Sequence, residues 1–318
     1  MSLRLGFIGF GEAAFHIAQG LREEGFTTIS AYDKFWNTEP YATQISRRVQ
    51  ESGVELLHNL PDLVRACDMI ISATSGRVAA QVAQEAAPFL RPGKIFVDVN
   101  AASPKTMEDV SSIVEPTGAR FVDVAMMGPL PVYKHRVPML ACGSGADGFR
   151  ELLSPYKMRI QVVGRHPGMA SAIKLFRSIF MKGIAAILIE TLVASRRFQV
   201  ESLIMDSIRE TMEETSFANL VNRFVCGTAI HSDRRVHEME DVIATLDSLG
   251  IDSGMSRATK EKLAWVNALR LKDTFGGETP SSYQEVLDAI DRASRPSENR
   301  RQEGRIGAPG RVEPWVGP

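Results

Sequence analysis

From residue 3 to about 163, short runs rich in β-branched and apolar residues alternate with amphipathic stretches. The runs Leu3–Ile8, Thr28–Tyr32, Met69–Ser72, Ile95–Val99, Phe121–Val124, Met139–Cys142 and Ile160–Val163 have the length and composition of strands. Between the earlier ones, residues 13–24, 43–52, 60–65, 78–87 and 105–114 carry apolar positions at helical spacing. This alternation predicts an α/β fold with a parallel, doubly wound sheet, and the closer spacing of the last strands predicts an antiparallel extension to it. After His166-Pro167-Gly168 the pattern changes. Ile173, Phe176, Phe180, Ile184, Ile187 and Leu188 predict one long helix over 169–198, and further helical patterns follow near 201–225, 231–249, 256–271 and 281–292. No strand pattern returns, so the second domain is expected to be all-α. The expected division is 1–165, 166–293 and an Arg/Gly/Pro tail at 294–318. That tail (Arg295, Arg300, Arg301, Arg305, Arg311) has no hydrophobic period and reads as a solvated, disordered extension.

Charge narrows the function classes. Thirty-seven Lys and Arg nearly balance thirty-eight Asp and Glu, so no global field points to nucleic acid or a membrane surface as partner. The apolar segment Gly183–Leu188 is flanked by Lys182 and Glu190, and no bilayer-spanning segment is expected. Leu3–Phe10 runs into a glycine turn without a small-residue cleavage site, unlike a signal peptide. Three cysteines (Cys67, Cys142, Cys226) form no CxxC pair and read as reduced thiols of a cytoplasmic protein.

The first strand feeds Gly9-Phe10-Gly11-Glu12-Ala13-Ala14, a GxGxxA pattern that opens a helix. Gly9 permits the tight turn, Gly11 lets backbone approach a pyrophosphate, and Ala14 is small enough for close helix–strand packing. The helix N-terminus supplies free N–H groups and partial positive charge, while Glu12 is expected to face solvent. Asp33 follows the second strand at the separation of a ribose-binding acid. Together these features predict a Rossmann sheet binding NAD or NADP. The Asp33 carboxylate favours NAD; Lys34 beside it offers a partner for a 2′-phosphate. Thr74 and Ser75 follow one strand and Asn100 the next, where a doubly wound sheet binds ligands. Asn100 reads equally as a contact for a substrate hydroxyl and as a turn residue before the next helix.

With these residues in view, the chain resembles the β-hydroxyacid dehydrogenases, which include 3-hydroxyisobutyrate and 6-phosphogluconate dehydrogenases. The resemblance rests on Leu5-Gly6-Phe7-Ile8-Gly9-Phe10-Gly11, Phe96-Val97-Asp98-Val99-Asn100, Phe121-Val122-Asp123 and the run from Gly168 to Gly183. His231 to Met239 resembles a C-terminal domain without an agreed function, found behind 6-phosphogluconate-dehydrogenase-type NAD-binding domains. The resemblance implies hydride transfer to or from a small anionic hydroxy acid, with optional decarboxylation. Lys174, in Gly168-Met169-Ala170-Ser171-Ala172-Ile173-Lys174, stands at the place of the family's general acid/base. It also implies a cleft completed by a second subunit, and hence a homodimer with the long helix at its interface.

Two departures qualify the substrate. Where the family has an asparagine one turn after the lysine, this chain has Ser178 beside Arg177. A serine either offers one hydrogen bond in its place or serves only close packing. Where the family has a carboxylate-binding serine, this chain has Met127, before Gly128. Tyr133, Lys134, His135 and Arg136 then offer an alternative anion site or a solvated loop. Imine or ketone reduction on the same scaffold, and a dinucleotide sensor without turnover, are the rival functions. Arg234 and Arg235 are weaker candidates for substrate contact. His231 and His237 are six apart rather than three or four, with no third ligand in view, so no metal site is predicted.

Overall fold

The computed structural model describes residues 3–294. Eight strands form one sheet: β1 Leu5–Ile8, β2 Ile29–Tyr32, β3 Glu55–Leu56, β4 Met69–Ser72, β5 Ile95–Asp98, β6 Arg120–Met126, β7 Met139–Cys142 and β8 Ile160–Gly164. Their order is β3-β2-β1-β4-β5-β6-β7-β8. Only β6 and β7 run antiparallel, so the expected extension of the parallel sheet is present. The connecting helices are α1 Glu12–Glu23, α2 Tyr41–Ser52, α3 Leu60–Ala66, α4 Ala79–Ala86, α5 Pro104–Val114, α6 Leu130–Tyr133 and α7 Ala146–Leu153. Helices cover both faces, and each face has its own apolar core. Phe7, Phe10, Val97, Val122 and Phe149 fill one; Ile70, Phe96, Phe121, Leu63 and Val110 fill the other. Strands buried on both sides explain the nearly continuous apolar runs in the sequence.

The sheet unit extends through Ser178, past the expected boundary, because the first turns of the long helix pack with the sheet. That helix, α8, spans Met169–Arg197. Lys182 and Glu190 do not interrupt it. By length and composition alone α8 is long and apolar enough to cross a membrane, and only 6% of its most apolar window is buried. The apolar stretch of this helix thus extends well beyond residues 183–188.

The second unit begins at Ile179 and contains α9 Glu201–Glu213, α10 Phe217–Ser248, α11 Gly254–Ala268, α12 Leu271–Thr274 and α13 Tyr283–Ser294. It is helical throughout the described residues, and the expected tail beyond Ser294 lies outside them. One break falls elsewhere than expected. The chain turns after α9, where the Ser216 hydroxyl caps α10 by accepting the Asn219 N–H, and then continues past residue 225. His231 marks only a kink (φ −112°, ψ 18°) within α10. Glu190 fixes the start of α11, its carboxylate accepting the N–H groups of Met255 (2.8 Å) and Ser256 (2.9 Å) and the Ser256 hydroxyl. An acid at a helix N-terminus both satisfies unpaired donors and complements the helix dipole.

Candidate functional site

A cavity of about 390 Å³ opens over the C-terminal ends of β1, β2 and β4. This is the size of a small-molecule site, in the position where doubly wound sheets bind ligands. Gly9, Gly11, Asp33, Lys34, Thr74 and Ser75 all line it. Gly9 has φ +84°, and a Cβ there would stand 2.7 Å from the Ala73 carbonyl oxygen, so only glycine fits. At Gly11 a Cβ would meet nothing within 4 Å, which leaves open space at the start of α1. Gly11 places no side-chain cap on that helix, so its first N–H groups remain for an anion. Glu12 is exposed, and Ala14 is fully buried in the helix–sheet contact, both as expected. Ala13 follows in the same first turn. The Phe10 ring is buried edge-on to Phe7, so Phe10 serves the loop through its backbone alone.

Asp33 ties this loop together. One carboxylate oxygen accepts the Phe10 N–H (2.8 Å) and the other accepts the Phe35 N–H (2.9 Å). Lys34 lies 4.9 Å from the centre of the Phe35 ring. The lining also includes Ile8, Tyr32, Phe35, Leu60 and Ala73, with Val78 just before α4 and Gln81, Val82 and Glu85 on it, none of them marked by a motif. Helical spacing marks Val78, Val82 and Glu85 as one face, but spacing does not tell a cavity wall from a core stripe. Burial, together with the Glu85 and Asp33 carboxylates, pushes the Tyr32 phenol up from its ordinary pKa. The wall is therefore anionic and apolar. Bare glycine backbone at a helix N-terminus, an acid at the second strand and a cavity between them fit the two phosphates and ribose of a nicotinamide dinucleotide.

Along the same sheet edge, Asn100 is buried, its N–H donating to Asp98 Oδ1 (2.8 Å) and its amide donating to Ser72 Oγ (3.1 Å). The Asx-type turn is thus made by Asp98, and Ser103 rather than Asn100 caps α5. Lys174 is half-buried on α8, one turn beyond Ser171. Ser178 donates its hydroxyl hydrogen to the Lys174 carbonyl (2.9 Å), so only its oxygen lone pairs are left for a substrate. Arg177 is exposed. Met127 packs with Met169 and Ile173 against Ala125, Leu140 and Val163, and so continues an apolar wall beside the start of α8.

The structure does not assemble the Tyr133–Arg136 loop into an anion site. Lys134 pairs with Glu23 (2.5 Å) and Arg136 with Glu24, both on the C-terminal turn of α1 or just after it. His135 is buried against Gly20, Tyr133 packs over Gly128, and Lys157 also pairs with Glu24 at 2.7 Å. Hydrogen bonds from Lys157 and Arg136 pull the Glu24 carboxyl down to about 2. In the helical unit Arg234 pairs with Glu238 (3.2 Å), and Arg235 folds back onto Thr228 and the Phe224 carbonyl. Among the described residues no group of three His, Cys, Asp or Glu is placed to hold a metal.

Residues 4–147 match the NAD-binding domain of 6-phosphogluconate dehydrogenase, and residues 196–266 match a domain of unknown function. A conserved hypothetical protein from Sinorhizobium meliloti 1021 is 32% identical, covering 92% of this chain and 97% of its own, with a TM-score of 0.59. A conserved protein of unknown function, described as structurally similar to 3-hydroxyacid dehydrogenases, is 33% identical over 86% of this chain and 99% of its own, with a TM-score of 0.57. The chain belongs to this family of 3-hydroxyacid-dehydrogenase-like NAD-binding proteins. An imine reductase from Aspergillus terreus, in complex with NADPH4 and dibenz[c,e]azepine, shares the fold at 15% identity, over 90% of this chain and 99% of its own, with a TM-score of 0.70. In this 3-hydroxyacid-dehydrogenase-like chain the glycine loop falls within the residues matched to the NAD-binding domain, and α8 follows them.

Proposed function

We propose that the protein is an NAD(P)-dependent oxidoreductase acting on a small hydroxy acid or related alcohol, with Lys174 as general acid/base. The observation that carries this reading is the half-buried Lys174 at the start of α8, in the unit that holds the dinucleotide cavity. A nicotinamide dinucleotide held by the Gly9–Gly11 loop and Asp33 would supply or accept the hydride. In oxidation the neutral Lys174 amine takes the hydroxyl proton as hydride leaves the carbinol carbon. In reduction the Lys174 ammonium returns that proton to the carbonyl oxygen. Asn100, held by Asp98 and Ser72, is fixed to orient the reacting hydroxyl. NAD is the preferred cofactor, because Asp33 and Glu85 line the pocket and disfavour a 2′-phosphate.

Imine or ketone reduction is the second reading. Met127 favours it, since an apolar wall replaces the carboxylate-binding serine while Lys134 and Arg136 are engaged by acids of α1 and its end. The working form is a homodimer in which a second copy covers the apolar face of α8 (Ile179, Ile187, Ile189, Val193). Lys182 and Glu190 within the helix, and the role of Glu190 in capping α11, favour this cover over lipid. The three free, buried thiols suit a reducing, cytoplasmic setting.

The test is an initial-rate screen of hydroxy acids, sugar acids, their phosphates, ketones and cyclic imines with NAD(H) and NADP(H). Lys174→Ala runs beside the wild type. Loss of general acid/base catalysis lowers turnover by roughly 10²–10⁴-fold. Turnover that survives in the variant refutes the role of Lys174. Dinucleotide binding without turnover of any compound favours a sensor.

A further inference from the structure

Four polar residues stand in one register across the buried middle of the sheet: Ser72 on β4, Asp98 on β5, Asp123 on β6 and Cys142 on β7. Ser72, Asp98, Asp123 and Cys142 are all fully inaccessible to solvent. Two adjacent carboxylates in an apolar sheet repel each other and cannot both remain charged without strong compensation. The compensation is unequal. Asp98 accepts the Asn100 N–H through Oδ1 and is also approached by the Asn100 amide and the Ser72 hydroxyl, but its Oδ2 is buried with no partner. Asp123 accepts from the Ser171 hydroxyl (2.7 Å), the Ser171 N–H (3.1 Å) and the Cys142 thiol (3.3 Å), and it also takes a backbone hydrogen bond from Gly168. Burial pushes Asp98 up to about 7, and it pushes the Cys142 thiol up to about 12, which keeps that sulfur a donor. Burial raises Asp123 as well, but its four donors all favour the anion. Asp123 thus has partners on both its oxygens, whereas Asp98 has them on one.

Three of those donors belong to the entry of α8. A helix begins with N–H groups that have no partner in the helix, and here they are met from the sheet rather than by a local cap. Gly168 and Ser171 turn to Asp123, and the Ala170 N–H turns to the Cys142 sulfur (3.3 Å). A negative charge at this end also complements the helix dipole. Gly168 allows the close approach: its φ is +89°, and a Cβ there would lie 2.8 Å from the Pro104 carbonyl oxygen. Lys174 follows Ser171 by three residues, on the first turns that this anchor holds.

We propose that Asp123 is a positioning residue, whose buried carboxylate anchors the first turn of α8 and thereby sets where the Lys174 amine stands. This rests on Lys174 being the general acid/base. Asparagine is the informative replacement, because it keeps the shape but turns an NH₂ group toward a ring of donors.

The experiment compares wild type and Asp123→Asn, as full chains, by site-resolved labelling of lysines with trinitrobenzenesulfonate over a range of pH, with and without NADH. The expected result is a severalfold faster labelling of Lys174 and a displaced pH profile for that site, with other lysines unchanged. NADH affinity stays within about twofold, as expected for a separate site. With any substrate the screen identifies, kcat falls by roughly 10²-fold while KM moves little, since small misplacement of a catalytic group has effects of that order. A Lys174 rate and pH profile identical to wild type, in a variant that merely melts earlier, overturns the proposal and leaves Asp123 a core residue. If Asp123→Asn does not fold, Ser171→Ala removes only the 2.7 Å bond. The same shift at smaller size supports the anchor, and no shift overturns it. Labelling needs no turnover, so the two readings fail separately. Full turnover in Lys174→Ala removes the general acid/base and this proposal with it, whatever labelling shows.

Discussion

The sheet unit and the helical unit handle their large side chains in opposite ways. In the sheet unit Phe7, Phe10, Phe96, Phe121 and Phe149 are wholly buried, and two cores close on the two faces of one sheet. In the helical unit the buried cluster consists mainly of small or medium residues (Cys226, Ala229, Val266, Leu271, Val286, Ala289). Leu220, Ile230 and Leu246 are also buried there, but Ile179, Ile189, Leu203 and Phe217 are each more than 60% exposed. Fully burying one such side chain is worth about 1.5–3 kcal/mol, so several of them left in water favour association. The sheet unit closes its largest rings inside, whereas the helical unit leaves these four side chains in water.

The largest expected effect follows from that exposure. For the proposed homodimer, Ile179→Asp with Ile189→Asp should give a monomer by light scattering at micromolar concentration, while NADH binding by the sheet unit persists. A wild-type monomer at that concentration would remove the proposed partner. Within the self-contained unit a single added methyl should matter instead. A Cβ at Gly20 would fall 1.9 Å from the buried His135 ring, so Gly20→Ala should cost about 3 kcal/mol in chemical unfolding, at the upper end of overpacking effects. The smallest effect concerns Asp98, which Asp123, Ser72 and Asn100 face. Its folded carboxyl titrates near 7, above its unfolded value, so the folded protein holds a proton that the unfolded chain releases. The stability this contributes is present in acid and is lost as pH rises through 7. Between pH 5 and 7 wild type should lose on the order of 1–2 kcal/mol more stability than Asp98→Asn, read from melting curves at both pH values.

Much of this was legible in the chain, for reasons that differ by region. Strands such as Met69–Ser72 and Met139–Cys142 were read to the residue, because burial on both faces makes them short apolar blocks. The glycine loop and Asp33 were legible because turn, phosphate approach and ribose contact each demand a residue type at a set spacing. β3 escaped notice, being a two-residue edge strand with little to bury. α7 was also passed over, between strands expected to lie close together. The row from Ser72 to Cys142 was invisible, since only strand register brings those four residues together. The loop at Tyr133–Arg136 shows the converse. Three potential cations in a row invite an anion, but the acids that engage Lys134 and Arg136 lie more than a hundred residues earlier, at Glu23 and Glu24.

The double grip of Asp33 on Phe10 and Phe35 has an evolutionary consequence. In a simple glycine-loop site, replacing the acid after the second strand is a single step toward accepting the phosphorylated cofactor. Here that replacement would also release the loop's own backbone, so the substitution that opens the pocket would loosen the phosphate cradle as well. A lineage carrying this chain could change cofactor only after some other residue had taken over the tether. The nearby Arg48, whose guanidinium already reaches the Phe10 carbonyl at 3.5 Å, is the side chain placed to begin that detour.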